Sequence, residues 1–444
     1  MSAVVNRQRI VNARIVNEGT VIEGDLLIED GRIAAVGAAP DGPGDVTDAQ
    51  GAWLLPGMID DQVHFREPGF THKGNIASES AAAVAGGITS YMEMPNCNPL
   101  TIDQARLDDK RERAARCSHA NYAFYLGATN DNLEDIKSVD PASACGVKVF
   151  MGASTGNMLV DNPEALEGIF ASTPLLIATH CEDTPTILAN EAAALARYGE
   201  DIPIAEHPRI RSEEACYKSS ELAVQLAKRH GSKLHVLHLT TARELSHFST
   251  GDLASKRITA EACVHHLFFD ESWYAEKGND IKCNPAIKRA EDREALLAAV
   301  NDGRIDVIAT DHAPHTQEEK SRPYQQAPAG LPLVQHALLS LFEHHRRSLF
   351  DVATIVQKTA HAPAELFGVR ERGFIREGYH ADLVLVSEGQ TDGGANLLAK
   401  CGWSPFAGIK FSHRIEATWV NGVQRFAHGQ LLDGPFGQPL EFNR

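Results

Sequence analysis

Apolar and polar residues alternate along the first fifty residues and again along the last sixty. GDLLIEDGRIAAVG carries Asp30-Gly31 between two alternating runs, and IEATWVNGVQRFAHG carries Asn421-Gly422 in the same way. An Asp-Gly or Asn-Gly pair in this setting is the strongest short-range signal for a β-hairpin. We therefore expect a small composite β domain of sandwich type, which residues 1–52 and 370–444 build together.

Between the two ends, short apolar runs alternate with helical stretches such as AEDREALLAAV. This alternation is typical of a parallel sheet with crossover helices. The eight apolar runs are 53–65, 88–95, 120–129, 146–152, 175–182, 233–240, 258–267 and 306–314. Eight βα units over about 250 residues match the α/β architecture of the (β/α)8 TIM barrel. We assign residues 53–369 to such a barrel.

Polar residues cluster where the apolar runs end. They are His64, Asn96, His180, His238, His265, His266, Asp311 and His315. In a TIM barrel the carboxyl ends of all strands meet at one mouth, where the chemistry gathers. Imidazole nitrogens and carboxylate oxygens are ligands that suit zinc and similar divalent ions. The predicted metal ligands are His64, His180, His238 and Asp311. For the pair His265-His266 we favour a structural or supporting role.

Two residues of this region each have two interpretations. Lys148 lies in the middle of the apolar run GVKVFMG, where lysine is rarely buried without a partner. It is either half of a buried ion pair or an amine of lowered pKa that reacts with carbon dioxide, giving a carbamate able to bridge two metal ions. Asp311 either caps the following loop or acts as the general acid/base beside the metal.

Candidate substrate contacts accompany these residues. Arg66 belongs to an alternating polar row with His64 on the first predicted strand, and its fork suits bidentate capture of a carboxylate. The alternative for Arg66 is a surface salt bridge. Asn96 and Asn284 lie near prolines, so each either contacts substrate or shapes a turn, and the same choice holds for His315.

Composition narrows the class of partner. The chain has 42 basic and 59 acidic residues and a net charge of −17, which opposes binding to nucleic acid or to an anionic membrane. A small-molecule substrate is the expectation. The eight cysteines show no CxxC spacing, so we expect reduced thiols. No apolar run has the length of a membrane span and the start lacks a secretory core, so the expected location is cytoplasmic.

Several stretches of the chain resemble the signature segments of dihydroorotases, within the cyclic amidohydrolase superfamily. The similarity runs from about residue 50 to residue 335, and both chain ends look like that superfamily's composite β domain. HFREPG together with ATDHAPH is the specific pair of motifs. The other matching stretches are MEMPNCNP, GVKVFMGASTGNM, THCED, HVLHLTTARE, ITAEACVHHL and KCNPAIK.

The resemblance implies reversible cyclisation of N-carbamoyl-L-aspartate to dihydroorotate and water, in pyrimidine biosynthesis. It implies one or two zinc ions, a metal-activated hydroxide that attacks the ring carbonyl, and Asp311 as general acid/base. The implied zinc ligands are His64, carboxylated Lys148, His180, His238 and Asp311. The implied substrate contacts are Arg66, Asn96, His315 and, less directly, Asn284. The loop after Lys148 would close over substrate and bring in Ser154 or Thr155.

Gln62 departs from the superfamily's pattern, because the usual His-x-His reads Gln62-Val63-His64 here. An amide oxygen is a weaker ligand than an imidazole nitrogen. Three outcomes follow. Gln62 ligates through oxygen, or the more buried metal binds weakly and one zinc remains on Lys148, His180 and His238, or the chain has lost activity. The set Lys148, Asp311, Arg66 and Asn96 argues against the third outcome.

Two alternative functions stay open. One is another cyclic amide hydrolase, of the allantoinase or dihydropyrimidinase type. Arg66 and His315 argue against it, because an uncharged ring offers a cation nothing to bind. The other is a non-catalytic scaffold that associates with aspartate transcarbamoylase, supported by Gln62. For the assembly we expect a homo-oligomer.

Overall fold

The computed structural model describes residues 6–152 and 158–444, so Ser154 and Thr155 lie outside the described residues. The strands of the described residues are β1 (Arg7–Asn17), β2 (Thr20–Glu29), β3 (Arg32–Gly37), β4 (Asp45–Asp48), β5 (Trp53–Pro56), β6 (Met58–Val63), β7 (Ile88–Glu93), β8 (Asn121–Phe124), β9 (Leu126–Gly127), β10 (Val147–Phe150), β11 (Ile177–His180), β12 (Leu234–Val236), β13 (Ile258–Cys263), β14 (Val307–Ala309), β15 (Leu383–Asp392), β16 (Lys410–Val420), β17 (Val423–Ala427) and β18 (Gln430–Leu431).

The two chain ends form one sheet, in the order β18-β17-β16-β15-β5-β1-β2-β3, with β4 paired to β1. Both predicted hairpins are present, joining β2 to β3 and β16 to β17. Their turn residues all have positive φ: 49° for Asp30, 83° for Gly31, 53° for Asn421 and 76° for Gly422. Two successive positive φ angles match the twist of the flanking strands. The predicted composite sheet is confirmed.

The apolar run 53–65 is two strands, not the one barrel strand that the sequence predicts. Its first part, β5, pairs with β1 and β15 in the end sheet, and only β6 belongs to the barrel. The break falls at Gly57, where a Cβ would collide with the side chain of Thr89. The close approach of Thr89 explains why the chain turns at a glycine.

The barrel consists of two groups of parallel strands, β6-β7-β8 and β9 to β14. The run 120–129 supplies both β8 and β9, which join the groups on either side of Tyr125. A parallel bridge between Val63 and His312 closes the circle, and the His64 backbone N–H donates to the His312 carbonyl at 2.7 Å. The eight predicted runs therefore form the predicted (β/α)8 barrel.

Helices alternate with the barrel strands. The α-helices are α1 (Ile76–Ala85), α2 (Gln104–Cys117), α3 (Leu133–Ser138), α4 (Pro163–Ser172), α5 (Thr184–Tyr198), α6 (His207–Ile210), α7 (Glu213–His230), α8 (Val264–Phe268), α9 (Tyr274–Lys277), α10 (Ala290–Asp302), α11 (Gln317–Lys320), α12 (Ala337–Arg346), α13 (Val352–Val356) and α14 (Ala362–Phe367). Short 3-10 helices span Ile204–Glu206, Glu244–His247, Leu253–Ser255, Glu271–Trp273, Gly278–Ile281 and Val334–His336, and a π-helix spans Gln357–His361.

Capping explains several helix starts. Asn75 and Ser78 form a reciprocal capping box on α1, and Ser212 accepts from Ala215 N at the start of α7. At the other end of α7, Gly231 adopts a left-handed conformation with φ 68°. Among the described helices, none combines the length and apolar character that crossing a membrane requires.

Candidate active site

A cavity lies at the carboxyl ends of the barrel strands and collects almost all of the predicted residues. It is lined by Gln62, His64, Arg66, Asn96, Lys148, Phe150, His180, His238, Asn284, Asp311, Ala313, Ala329 and Gly330. Segments far apart in the chain supply these side chains, as expected for a TIM-barrel active site. Of the predicted residues, His315 is buried beside Arg66 rather than on the cavity wall.

Two imidazoles face each other in the cavity. His180 Nδ1 lies 3.0 Å from His238 Nε2, and His180 Nε2 lies 3.0 Å from a Glu182 carboxylate oxygen. Burial lowers the pKa of both imidazoles, so they are neutral. A His180 ring that donates its Nε2–H to Glu182 turns the Nδ1 lone pair toward His238. Two such nitrogens can share a metal ion.

Glu182 contacts the candidate site, and the sequence reasoning missed it. Its carboxylate is fully buried and also accepts from Arg211 at 2.6 Å. Burial alone would raise the pKa of Glu182, but Arg211 and His180 outweigh it and lower the pKa to about 2. Glu182 is therefore a permanent anion that orients His180. Its position two residues beyond His180, in THCED, is the signal that could have identified it.

The opposite wall of the cavity joins His64, Asn96, Gln62 and Asp311. His64 Nδ1 lies 2.7 Å from Asn96 Oδ1, which leaves His64 Nε2 directed at Asp311 Oδ1, 3.2 Å away. Gln62 Nε2 donates to the same Asp311 oxygen at 3.1 Å. Asp311 has φ 51°, a conformation that costs a non-glycine residue energy and is typical of functional sites. In this arrangement Gln62 presents its amide nitrogen, not its oxygen, to Asp311.

Lys148 is buried between the two walls. It is 1% exposed, and its Nζ lies 4.6 Å from the centroid of the Phe150 ring. No ion pair involves Lys148 within residues 6–152 and 158–444, so the ion-pair interpretation finds no support there. Burial lowers the pKa of its amine to about 8. A buried amine that releases its proton readily is the reactive form for carbamate formation.

Arg66 brings a positive charge to the cavity without a direct ion pair among the described residues. Its Nε donates to the Pro314 carbonyl at 3.0 Å and its Nη2 lies 3.1 Å from His315 Nε2, while no acid of the described residues forms an ion pair with it. Burial lowers the pKa of Arg66 to about 10, which leaves the guanidinium charged at neutral pH. Lys73 Nζ lies 3.0 Å from the other nitrogen of His315, but Glu319 pairs with Lys73 at 2.9 Å, so Arg66 supplies the available positive charge. This corner of the site suits an anion.

The remaining predicted residues are Asn284 and the pair His265-His266. In the amide orientation that satisfies both of its ends, Asn284 accepts from Arg211 at 3.2 Å and donates to the Cys283 carbonyl at 3.0 Å. His265 and His266 are buried on α8, outside the cavity lining, with ring centroids 3.9 Å apart. The structural or supporting role favoured from the sequence stays a prediction.

The donor set fits a divalent metal ion. Neutral imidazoles from two walls, the Asp311 carboxylate and a buried lysine converge on one cavity, and the His180 and His238 nitrogens are close enough to be ligands of a single ion. Glu182 and Asn96 hold two of the imidazoles from behind, as residues around metal ligands commonly do.

Comparison with known proteins defines the class. Residues 53–425 match the family described as "Amidohydrolase family", and the chain belongs to that family. It is similar to a dihydroorotase of Halobacterium salinarum, with 34% identity over 89% of this chain and 92% of the relative. It is also similar to an allantoinase of Solibacter usitatus, with 31% identity over 96% and 95%.

Solved structures agree on the fold. An L-hydantoinase (dihydropyrimidinase) from Arthrobacter aurescens superimposes with a TM-score of 0.93, covering 99% of this chain and 100% of the other at 24% sequence identity.

Proposed function

We propose that this protein is a dihydroorotase, which interconverts N-carbamoyl-L-aspartate and (S)-dihydroorotate plus water in pyrimidine biosynthesis. The observation that carries the proposal is Arg66. It is a buried guanidinium that lines the cavity and, among the described residues, has no acidic partner. A buried guanidinium that makes no direct ion pair keeps charged donors available, and an anionic group of the substrate would pair with them.

The carboxylate of dihydroorotate supplies that group. The planar guanidinium of Arg66 can donate two parallel hydrogen bonds to this carboxylate. Burial and the neighbouring cations hold the pKa of His315 well below its ordinary value, so His315 adds a neutral support and no competing charge. Asn96, whose Oδ1 faces His64, keeps its amide nitrogen available to the same carboxylate. Dihydrouracil, hydantoin and allantoin have no carboxylate.

The proposed zinc ligands are His64, His180, His238, Asp311 and Lys148 as its carbamate. Lys148, His180 and His238 would hold the more firmly bound ion, because Gln62 takes the place of an imidazole on the other side. A zinc ion in the cavity would supply Lewis acidity to the amide carbonyl and to the attacking water.

Asp311 carries the proton in this proposal. One of its oxygens accepts a hydrogen bond from Gln62 Nε2, which fixes the carboxylate in the cavity. In ring opening Asp311 accepts a proton from the attacking water and returns it to the amide nitrogen that leaves. In ring closure the same carboxylate removes the proton from the carbamoyl nitrogen and delivers it to the departing oxygen.

A comparison of substrates tests the assignment. The zinc-loaded protein is given dihydroorotate, dihydrouracil, hydantoin and allantoin in separate ring-opening assays, and carbamoyl aspartate in the reverse direction. We expect turnover of dihydroorotate and carbamoyl aspartate to exceed that of each uncharged ring by at least about two orders of magnitude, the worth of one buried charged contact. Preference for allantoin, the substrate of the allantoinase relatives, would overturn the assignment. No turnover with zinc and bicarbonate present would favour the scaffold alternative.

A further inference from the structure

A second group of metal-ligating side chains lies deeper in the barrel than the cavity. Asp61 on β6, His235 on β12 and Glu261 on β13 are each 0% exposed, and their ligand atoms all lie within 4.8 Å of one another. Asp61 and His235 each precede a cavity residue on their own segment, His64 and His238, by three positions, which places the group beneath the mouth. Nothing in the proposed reaction uses these three side chains.

The atoms that face one another have no hydrogen-bond partners within the described parts of the chain. They are both carboxylate oxygens of Asp61, Oε2 of Glu261 and Nε2 of His235. Buried polar atoms are almost always satisfied, and each that is left alone costs about 1–3 kcal/mol or more when charged. Three of these atoms, one from each residue, lie within 4.8 Å of one another, and a cation between them would satisfy all three.

The hydrogen bond on the far side of His235 defines what its Nε2 offers. Thr259 Oγ1 donates to the Leu234 carbonyl at 3.2 Å, so its oxygen accepts from His235 Nδ1, 2.8 Å away. In a neutral ring with its proton on Nδ1, Nε2 carries a lone pair. Burial would lower the pKa of His235, but hydrogen bonds and charge from Asp61 and Glu261 raise it to about 9, so Nε2 favours a bound cation, a proton or a metal ion.

Distances and charge favour a metal ion over a proton. His235 Nε2 lies 3.3 Å from Asp61 Oδ2 and 3.8 Å from Glu261 Oε2. A direct charge-assisted hydrogen bond would measure about 2.7–2.9 Å, whereas ligands about 2.0–2.1 Å from a tetrahedral ion lie about 3.3–3.4 Å apart. Two carboxylates also cancel the charge of a divalent ion, whereas a protonated His235 balances the group only if one carboxyl carries a proton as well.

We propose that Asp61, His235 and Glu261 bind one divalent transition-metal ion, zinc being the best match, at a structural site separate from the catalytic ligands. One imidazole and two carboxylates are a zinc-type ligand set, and the free second oxygen of Asp61 supplies a fourth ligand atom. The ion ties β6 to β12 and β13. Because Glu261 Oε1 also accepts from His238 N at 2.9 Å, the site supports the segment that carries a mouth imidazole.

A diffraction experiment locates the ion without altering the protein. Crystals of the full chain grown with zinc are measured on both sides of the zinc absorption edge. We expect an anomalous peak about 2 Å from His235 Nε2 and from an oxygen of Asp61 and of Glu261. Absence of that peak, with His235 hydrogen-bonded to a carboxylate below 3 Å, would overturn the proposal whether or not zinc is seen beside His180.

A pair of adjacent variants gives a solution test. D61N and D60N each remove one buried carboxylate from β6, but Asp60 is satisfied by Thr310, whose Oγ1 and N donate at 2.6 and 3.1 Å. After dialysis against trace zinc, D61N should contain one equivalent of zinc less than the wild type and D60N the same amount. Equal zinc in wild type and D61N would overturn the proposal, as would equal losses in both variants. If D61N does not fold, the anomalous map of the wild type decides.

Discussion

Replacing Arg66 with Met separates substrate recognition from metal binding. Methionine keeps a long side chain and, like arginine, is an L residue without special tolerance for the φ of 71° at this position, so the backbone cost is unchanged. The substitution removes the hydrogen bond from Arg66 Nε to the Pro314 carbonyl, but it breaks no ion pair within the described residues. None of the proposed metal ligands is altered.

The expected loss follows from the burial of Arg66, which is 8% exposed. Removing one partner of a buried, hydrogen-bonded charge pair costs about 2–5 kcal/mol. Taking about 3 kcal/mol, kcat/KM for dihydroorotate should fall about 100- to 200-fold. R66K, which keeps the charge and loses the planar fork, should lie between wild type and R66M.

The assay is steady-state ring opening of dihydroorotate, with zinc content and thermal unfolding measured on the same samples. Zinc content should equal that of the wild type, and any residual turnover of dihydrouracil should be unchanged, because that ring has no carboxylate. A proportional loss of zinc and turnover in R66M would show that Arg66 supports the fold of the site. An equal loss for charged and uncharged rings would refute the proposed contact.

Two further variants probe positioning and acid stability. E182Q should weaken zinc binding about 10- to 100-fold in chelator competition, because His180 loses the anion that orients it; unchanged affinity would contradict that role. Burial lowers the pKa of His336 to about 4 in the folded protein. Because the unfolded chain binds the proton already near pH 6.5, the free energy of unfolding should fall by about 3 kcal/mol as the pH drops from 6.5 toward 4. Between pH 7 and pH 4.5 the free energy of unfolding of H336F should therefore fall less than that of the wild type. Urea titrations at both pH values measure this, and an equal fall in the two proteins would contradict it.

Much of the architecture follows from local signals. The hairpins at Asp30-Gly31 and Asn421-Gly422 depend on φ values that only a few residue types adopt easily. The barrel strands are short apolar runs, and the polar residue that closes a run such as THCED or ATDHAP marks the mouth. These features depend on neighbouring residues, which a sequence displays directly.

Features that depend on distant partners were missed. β5 belongs to the end sheet because Pro56 and Trp53 pair with Leu383 and Val386, more than 300 positions away. Strict alternation on the first strand also fails, since the pairing of β6 with β7 shifts between Asp60 and Val63. A shifted register changes which side chains face inward. Asp61, outside the alternating polar row of the sequence, therefore reaches His235.

A crystal structure of the protein grown with zinc and bicarbonate tests the central claim most directly. The account predicts planar density continuing from Lys148 Nζ and an ion coordinated by His180 Nδ1 and His238 Nε2, which lie 3.0 Å apart. An unmodified Lys148 with no ion between these imidazoles would contradict the account.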